Sequence, residues 1–109
     1  MSSNGGYRLL WMQVMFDLPV RKKAQRKRAT DFRNRLLDEG FTMSQFSVYL
    51  RHIKDREQAE TYIKKIESFI PEEGIVHILV FTDKQYEQIK TFRGRVKSKQ
   101  SSPDQLMLF

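Results

Sequence analysis

Apolar and polar positions alternate along this chain in two rhythms. Arg8 to Phe16 (RLLWMQVMF) is an apolar run of large and β-branched residues, closed by Asp17-Leu18-Pro19. It is too short for a long helix and reads as a buried strand. Pro19 suits the start of a helix, where a missing N–H costs nothing. Val20 to Glu39 reads as that helix. Ala29, Phe32 and Leu36 fall at i, i+3 and i+7 and make one apolar stripe, and Gly40 is a good C-terminal stop. With the stripe facing inward, Lys23, Lys27 and Asn34 point to solvent. Arg26 and Arg33 flank the stripe on one side, Arg28 and Arg35 on the other.

Phe41 to Ile53 (FTMSQFSVYLRHI) is β-rich and mildly alternating. Its periodicity fits one long strand or two short strands with a tight reversal near Gln45 to Ser47. Asp55 to Ile70 is the clearest helix, with Ala59, Tyr62, Ile63, Ile66, Phe69 and Ile70 on one face. Asp55 caps its start, Gln58 stands in the reciprocal position, and Pro71 ends it. Ile75 to Thr82 (IVHILVFT) is a second strongly apolar strand. Thr82 or Asp83 caps a short helical turn, with Tyr86 and Ile89 expected to face inward.

After Arg93 the chain turns polar, basic and serine-rich up to Pro103, a linker composition. It ends in Leu106-Met107-Leu108-Phe109, four apolar residues that would be wasted in solvent. They are expected to dock as a strand on a sheet edge, their own or a neighbour's. The expected division is a loose tail over 1–6, a domain over 7–92, a basic linker over 93–104 and a docking strand over 105–109. Two helices with four or five strands make a two-layer α+β sandwich. If the middle run is a hairpin, the order β-α-β-β-α-β is the ferredoxin-like arrangement, here with an added C-terminal strand.

Composition narrows the function. At 109 residues the chain is one ordinary domain with a thin margin for a core, so pairing with another chain would help. It has no cysteine, which removes disulfides, thiolate metal sites and cysteine nucleophiles. No apolar run approaches a bilayer span and nothing resembles an export signal, so a cytoplasmic protein without membrane contact is expected. The net charge of +7 is unevenly placed. Residues 1–54 hold 11 Lys and Arg against 4 Asp and Glu, whereas residues 55–109 hold 9 of each. In Arg21 to Arg28 six of eight residues are basic and none is acidic, and Lys90 to Lys99 is a second acid-free basic stretch. Such a block points to a polyanion, nucleic acid above all.

Three short motifs then take on meaning together. Met15-Phe16-Asp17-Leu18-Pro19 closes the first strand, Gln45-Phe46-Ser47-Val48-Tyr49 lies mid-chain, and Thr82-Asp83-Lys84-Gln85-Tyr86 follows the last core strand. In this order and spacing, within a basic chain of this length, the sequence resembles the CRISPR-associated Cas-two family, the small subunit of the spacer-acquisition complex. The ending Gln105 to Phe109 is similar to that of members accompanying type II systems. The resemblance implies a ferredoxin-like homodimer whose C-terminal strands add to the partner's sheet. It implies a dimer seated between two integrase dimers, holding a duplex prespacer that the integrase inserts into the CRISPR array. It also implies a magnesium-dependent endonuclease on RNA or DNA, with the activity assigned to the aspartate ending the first strand, here Asp17.

Each candidate residue has a plainer reading beside the functional one. For the basic helix the plain reading is a solvated face. The acid-free block favours phosphate contacts instead, and the candidates are Arg21, Lys22, Lys23, Arg26 and Lys27. Asp17 is either a strand-end carboxylate accepting hydrogen bonds from nearby N–H groups or a catalytic ligand of Mg²⁺. One chain supplies one such carboxylate, and a two-fold axis would bring a second. Leu106, Met107, Leu108 and Phe109 are the candidate partner-binding strap. His52 and His77 read as packed or edge residues, Ser47 lacks a His–Asp pair, and the glycines form no phosphate cradle. The aromatic strand motif of RNA-recognition domains is absent. A DNA-holding scaffold therefore stands first, a nuclease using Asp17 second, and a generic RNA-binding module last.

Overall fold

The computed structural model describes residues 9–94. Its first strand, β1 (Leu10–Asp17), shows the period-2 burial that the apolar run concealed. Leu10, Met12 and Val14 are buried while Trp11, Gln13 and Met15 are only half-buried. One face of β1 thus meets the core, and the strand is not sealed on both sides as its composition suggested. Two further strands, β2 (Thr42–Gln45) and β3 (Val48–Ile53), resolve the middle run into a hairpin. Ser47 takes a left-handed φ of 62° in its turn, a conformation uncommon for a residue with a Cβ. The last strand, β4 (Ile75–Thr82), has the expected bounds. The sheet order is β2-β3-β1-β4 and every pair is antiparallel. With crossovers through α1 (Lys23–Asp38) and α2 (Arg56–Glu67), this is the ferredoxin-like α+β sandwich. A short helix, α3 (Asp83–Glu87), follows β4.

The core lies between the sheet and the two long helices. Phe32 and Leu36 of α1 and Ala59 and Ile66 of α2 pack with Leu10, Met12, Val14, Tyr49 and Ile53. Phe32 anchors the layer, with Phe16 edge-on at 5.0 Å and Phe69 at 5.6 Å. Burying each such side chain contributes about 1.5–3 kcal/mol, which holds both helices to one face. The opposite face carries Trp11, His52, Leu79 and Phe81. There Tyr86 of α3 stacks on Trp11 at 4.3 Å, so it turns to the far side of the sheet rather than into the core. Ile89 is exposed, contrary to the inward position its spacing suggested.

The caps explain where the helices stop. Gly40, at φ +90°, closes α1 with paired backbone bonds: its N–H donates to Leu37 O and the Phe41 N–H to Leu36 O. Asp55 caps α2 by accepting from the Gln58 N–H at 2.8 Å, while Gln58 Oε1 returns to the Lys54 N–H. Helix α1 begins at Lys23, not beside Pro19. The reason lies in the residues preceding it, which also build the candidate site. The assignments made for residues 1–6, for 95–104 and for Leu106, Met107, Leu108 and Phe109 lie outside the described residues.

Candidate nucleic-acid interface

Asp17 ends β1 opposite Ile75 and is exposed. Three segments meet at this end of the sheet: the β2–β3 turn, the β1–α1 loop over 18–22, and the α2–β4 loop. The Phe16 N–H donates to Ser47 O at 3.1 Å, tying the first to β1. Gly74, at φ +99°, lets the third approach so closely that a Cβ there would stand 2.7 Å from Asp17 O. Glycine is required at that point both by the dihedral and by the contact.

The β1–α1 loop has no regular structure, yet its backbone groups are taken up one by one. Gln25 Oε1 accepts from the Arg21 N–H at 3.0 Å and from the Lys22 N–H at 2.9 Å. Arg26 turns back along the helix, and its Nη1 donates to Val20 O at 3.1 Å and to Arg21 O at 2.8 Å. These bonds fix the backbone of residues 20–22, with Lys22 held extended before the helix, and the first helical turn starts at Lys23 although Pro19 would permit an earlier one.

The five basic candidates therefore fall into different settings. Arg21, Lys22 and Lys23 are exposed, and no carboxylate among the described residues pairs with them. Lys27 reaches Asp31 one turn on at 3.1 Å, in an open surface pair of little energetic weight. Arg26 is exposed but engaged with the loop carbonyls. The sequence reading passed over two residues. Glu73, in the α2–β4 loop, accepts from Arg28 at 3.1 Å and from Gln25 Nε2 at 3.3 Å. Gln25 lies between them and joins loop to loop. Its signal was present as the third residue after the cap position, the spacing of a capping box. Glu73 is 48 residues away from Gln25 and left no local trace.

The family model for CRISPR associated protein Cas2 matches residues 10–89. The chain belongs to the Cas2 family. A CRISPR-associated endoribonuclease Cas2 from Paracidovorax avenae is 57 % identical over 95 % of this chain and 97 % of its own length. One of the same description from Flavobacterium psychrophilum is 42 % identical over 91 % and 86 %. A crystal structure titled cas2 superposes with a TM-score of 0.56 at 20 % identity, covering 86 % of this chain and 97 % of its own, and supports the fold. The matched span of the Cas2 model includes Asp17, the basic block and Glu73.

The donor set for a metal is sparse. Among the described residues no three His, Asp or Glu side chains converge on one point. Asp17 offers one carboxylate per chain, and Mg²⁺ is commonly held by one or two carboxylates with waters and phosphate oxygens. A single Cas2 chain therefore offers one exposed carboxylate here, enough for a Mg²⁺ ion completed by waters and phosphate oxygens. On the far face of the sheet the Trp11 ring lies 3.9 Å from His52, edge-on, and its indole N–H is buried without an acceptor among the described residues. His52 lies toward the opposite end of the sheet, whereas His77 is exposed on β4 opposite Met15, two residues from the register of Asp17. No helix among the described residues is long and apolar enough to cross a membrane.

Proposed function

We propose that this Cas2 chain is the DNA-holding subunit of CRISPR spacer acquisition. In this reading a homodimer bridges two integrase dimers and grips the backbone of the double-stranded prespacer, while the integrase performs the strand transfer. The observation that carries it is the concentration of unpaired cationic side chains at the start of α1, on a loop whose backbone is fixed. Duplex DNA carries one negative charge per about 1.7 Å of axis, so a fixed row of Lys and Arg gains by counterion release. Such contacts position a duplex without reading its sequence, as a subunit accepting any spacer requires. The test is integration of a duplex by the cognate integrase in Mg²⁺. Asp17→Ala is expected to integrate normally and an Arg21, Lys22, Lys23-to-Ala variant to fail. The reading is wrong if the basic variant integrates as well as wild type.

The relatives' description as endoribonucleases favours a second reading, a magnesium-dependent endonuclease centred on Asp17. The exposed carboxylate beside a cationic loop supports it, provided that two copies bring two aspartates to one phosphodiester. It predicts an EDTA-sensitive cleavage of RNA or DNA that disappears in Asp17→Ala with duplex binding intact. Cleavage that survives Asp17→Ala would remove this assignment.

A further inference from the structure

We propose that Gln25 and Arg26 are positioning residues for the DNA grip: they preset the β1–α1 loop so that Arg21, Lys22 and Lys23 alone meet the phosphates. This rests on the DNA-holding reading above. Its basis is the accounting of the loop's backbone. Residues 17, 18 and 20–22 each have a fixed contact, none made through a basic side chain of the loop itself. Gly74 packs against the backbone of Asp17 and Leu18. Arg26 Nη1 holds the carbonyls of Val20 and Arg21. Gln25 Oε1 holds the N–H groups of Arg21 and Lys22. The opposite end of the Gln25 amide donates to Glu73, which Arg28 also engages, so the clip is anchored to the α2–β4 loop rather than to α1 alone.

The consequence is a division of labour. A loop left free would have to be ordered at the moment of binding, and that entropy would be subtracted from the counterion gain. Holding the loop in the free protein removes that cost and leaves three side chains to swing onto a phosphate row. Arg26 contributes its charge to the local field, but its guanidinium faces back toward the chain and acts through Arg21 and Lys22.

The experiment is duplex affinity by fluorescence anisotropy, with the full chain and a labelled 30-base-pair DNA, across a salt series. The plot of log affinity against log salt separates the two roles. Single Arg21→Ala, Lys22→Ala and Lys23→Ala variants are each expected to flatten the slope by about 0.9, one phosphate contact apiece. Gln25→Ala carries no charge change. It is expected to bind about tenfold more weakly at every salt concentration with the slope retained, the cost of ordering one or two residues. Arg26→Ala is expected to behave like Gln25→Ala. The double variant Gln25→Glu with Glu73→Gln keeps the net charge, the acceptor for the loop N–H groups and a hydrogen bond between the two side chains. It is expected to return affinity to within about twofold of wild type, a rescue that general loss of stability would not give.

The outcomes are distinguishable. If wild type binds duplex without a salt slope, or the triple basic variant keeps that slope, the DNA-holding reading fails and the inference with it. If the basic variants lose slope but Gln25→Ala equals wild type throughout, only the positioning role is overturned. A slope loss of about 0.9 in Arg26→Ala would make Arg26 a phosphate contact and overturn its assignment.

Discussion

Arg51 gives the sharpest test of how α1 is held to the sheet. It sits on the helix-facing side of β3, where its guanidinium joins three elements. Nη1 donates to Glu39 O at the end of α1 at 2.5 Å and to Tyr62 Oη in α2 at 2.6 Å, while Nε donates to His52 O at 2.9 Å. The guanidinium carbon lies 4.4 Å from the centre of the Tyr62 ring. Gly40 leaves the space it needs, since a Cβ there would stand 2.7 Å from Nη1. A hydrogen bond from a charged donor contributes about 1.5–3 kcal/mol, and the first two bonds are partly buried. Taken at the low end they give about 3 kcal/mol, and the ring contact adds about 0.5. Against this stands the rotamer entropy regained when the side chain is removed, up to about 2 kcal/mol. Arg51→Ala should therefore destabilise by about 2 kcal/mol, which lowers Tm by roughly 8–16 °C in a domain of this size. Arg51→Lys keeps the charge and a donor nitrogen but loses the separate Nε bond to His52 O and the planar contact with the Tyr62 ring, and about half the loss should remain. Urea titration with a thermal melt measures both. A loss under about 0.5 kcal/mol in Arg51→Ala, or full stability in Arg51→Lys, would refute the argument that the extended planar guanidinium is what matters.

Other expectations follow from single contacts. Glu73→Gln keeps an acceptor for Gln25 while removing a negative charge beside the basic block. Duplex affinity should rise about two- to fivefold in low salt and converge with wild type as salt screens the field, read by the same anisotropy titration. Gly74→Ala forces a positive φ on a Cβ and drives it into the Asp17 carbonyl, so it should cost about 2 kcal/mol or more in a urea titration. Phe32→Ala opens a cavity under two aromatic neighbours and should cost about 3–5 kcal/mol, enough to leave a marginal domain largely unfolded at 37 °C by circular dichroism.

Much of the fold was legible because burial leaves a period in the sequence. The bounds of β4 and most of the face of α2 follow from apolar spacing, although α2 ends at Glu67 and leaves Ile70 exposed, and the Asp55 and Gly40 caps follow from local chemistry. What was hidden depended on contacts across the chain. The start of α1 was misplaced because the Pro19 rule is local, whereas the competing Arg26 and Gln25 bonds appear only once the loop is folded back. Tyr86 was placed inward by helical spacing, but the sheet has two faces and its stacking partner, Trp11, lies on the other. The sequence reading gave Arg51 no role. Its role depends on the Glu39 carbonyl and the Tyr62 hydroxyl, which no pattern in the residues around it announces. In the candidate site the cationic block was plain in the sequence, but the distinction between free and engaged cations within it was not.

Under the proposed function, that distinction bears on how a protein with so small a core would hold a rigid polyanion. On the DNA-holding proposal the net attraction comes from the first half of the chain, while the second half, whose Lys90 to Lys99 stretch is offset by its acids, is neutral at a distance beyond a Debye length of about 10 Å. Repulsion among six cations in eight residues would by itself splay the start of α1. The folded chain limits this by turning Arg26 onto carbonyls, pairing Arg28 with Glu73 and Lys27 with Asp31, and leaving three cations unpaired. These pairs are exposed and individually weak, but they offset charge beside the three free cations. The carbonyl contacts of Arg26 are different in kind, because releasing them frees the backbone that carries Arg21 and Lys22. On the proposed function, a grip built in this way would hold any sequence, lose strength steeply with salt, and have its geometry set before DNA arrives.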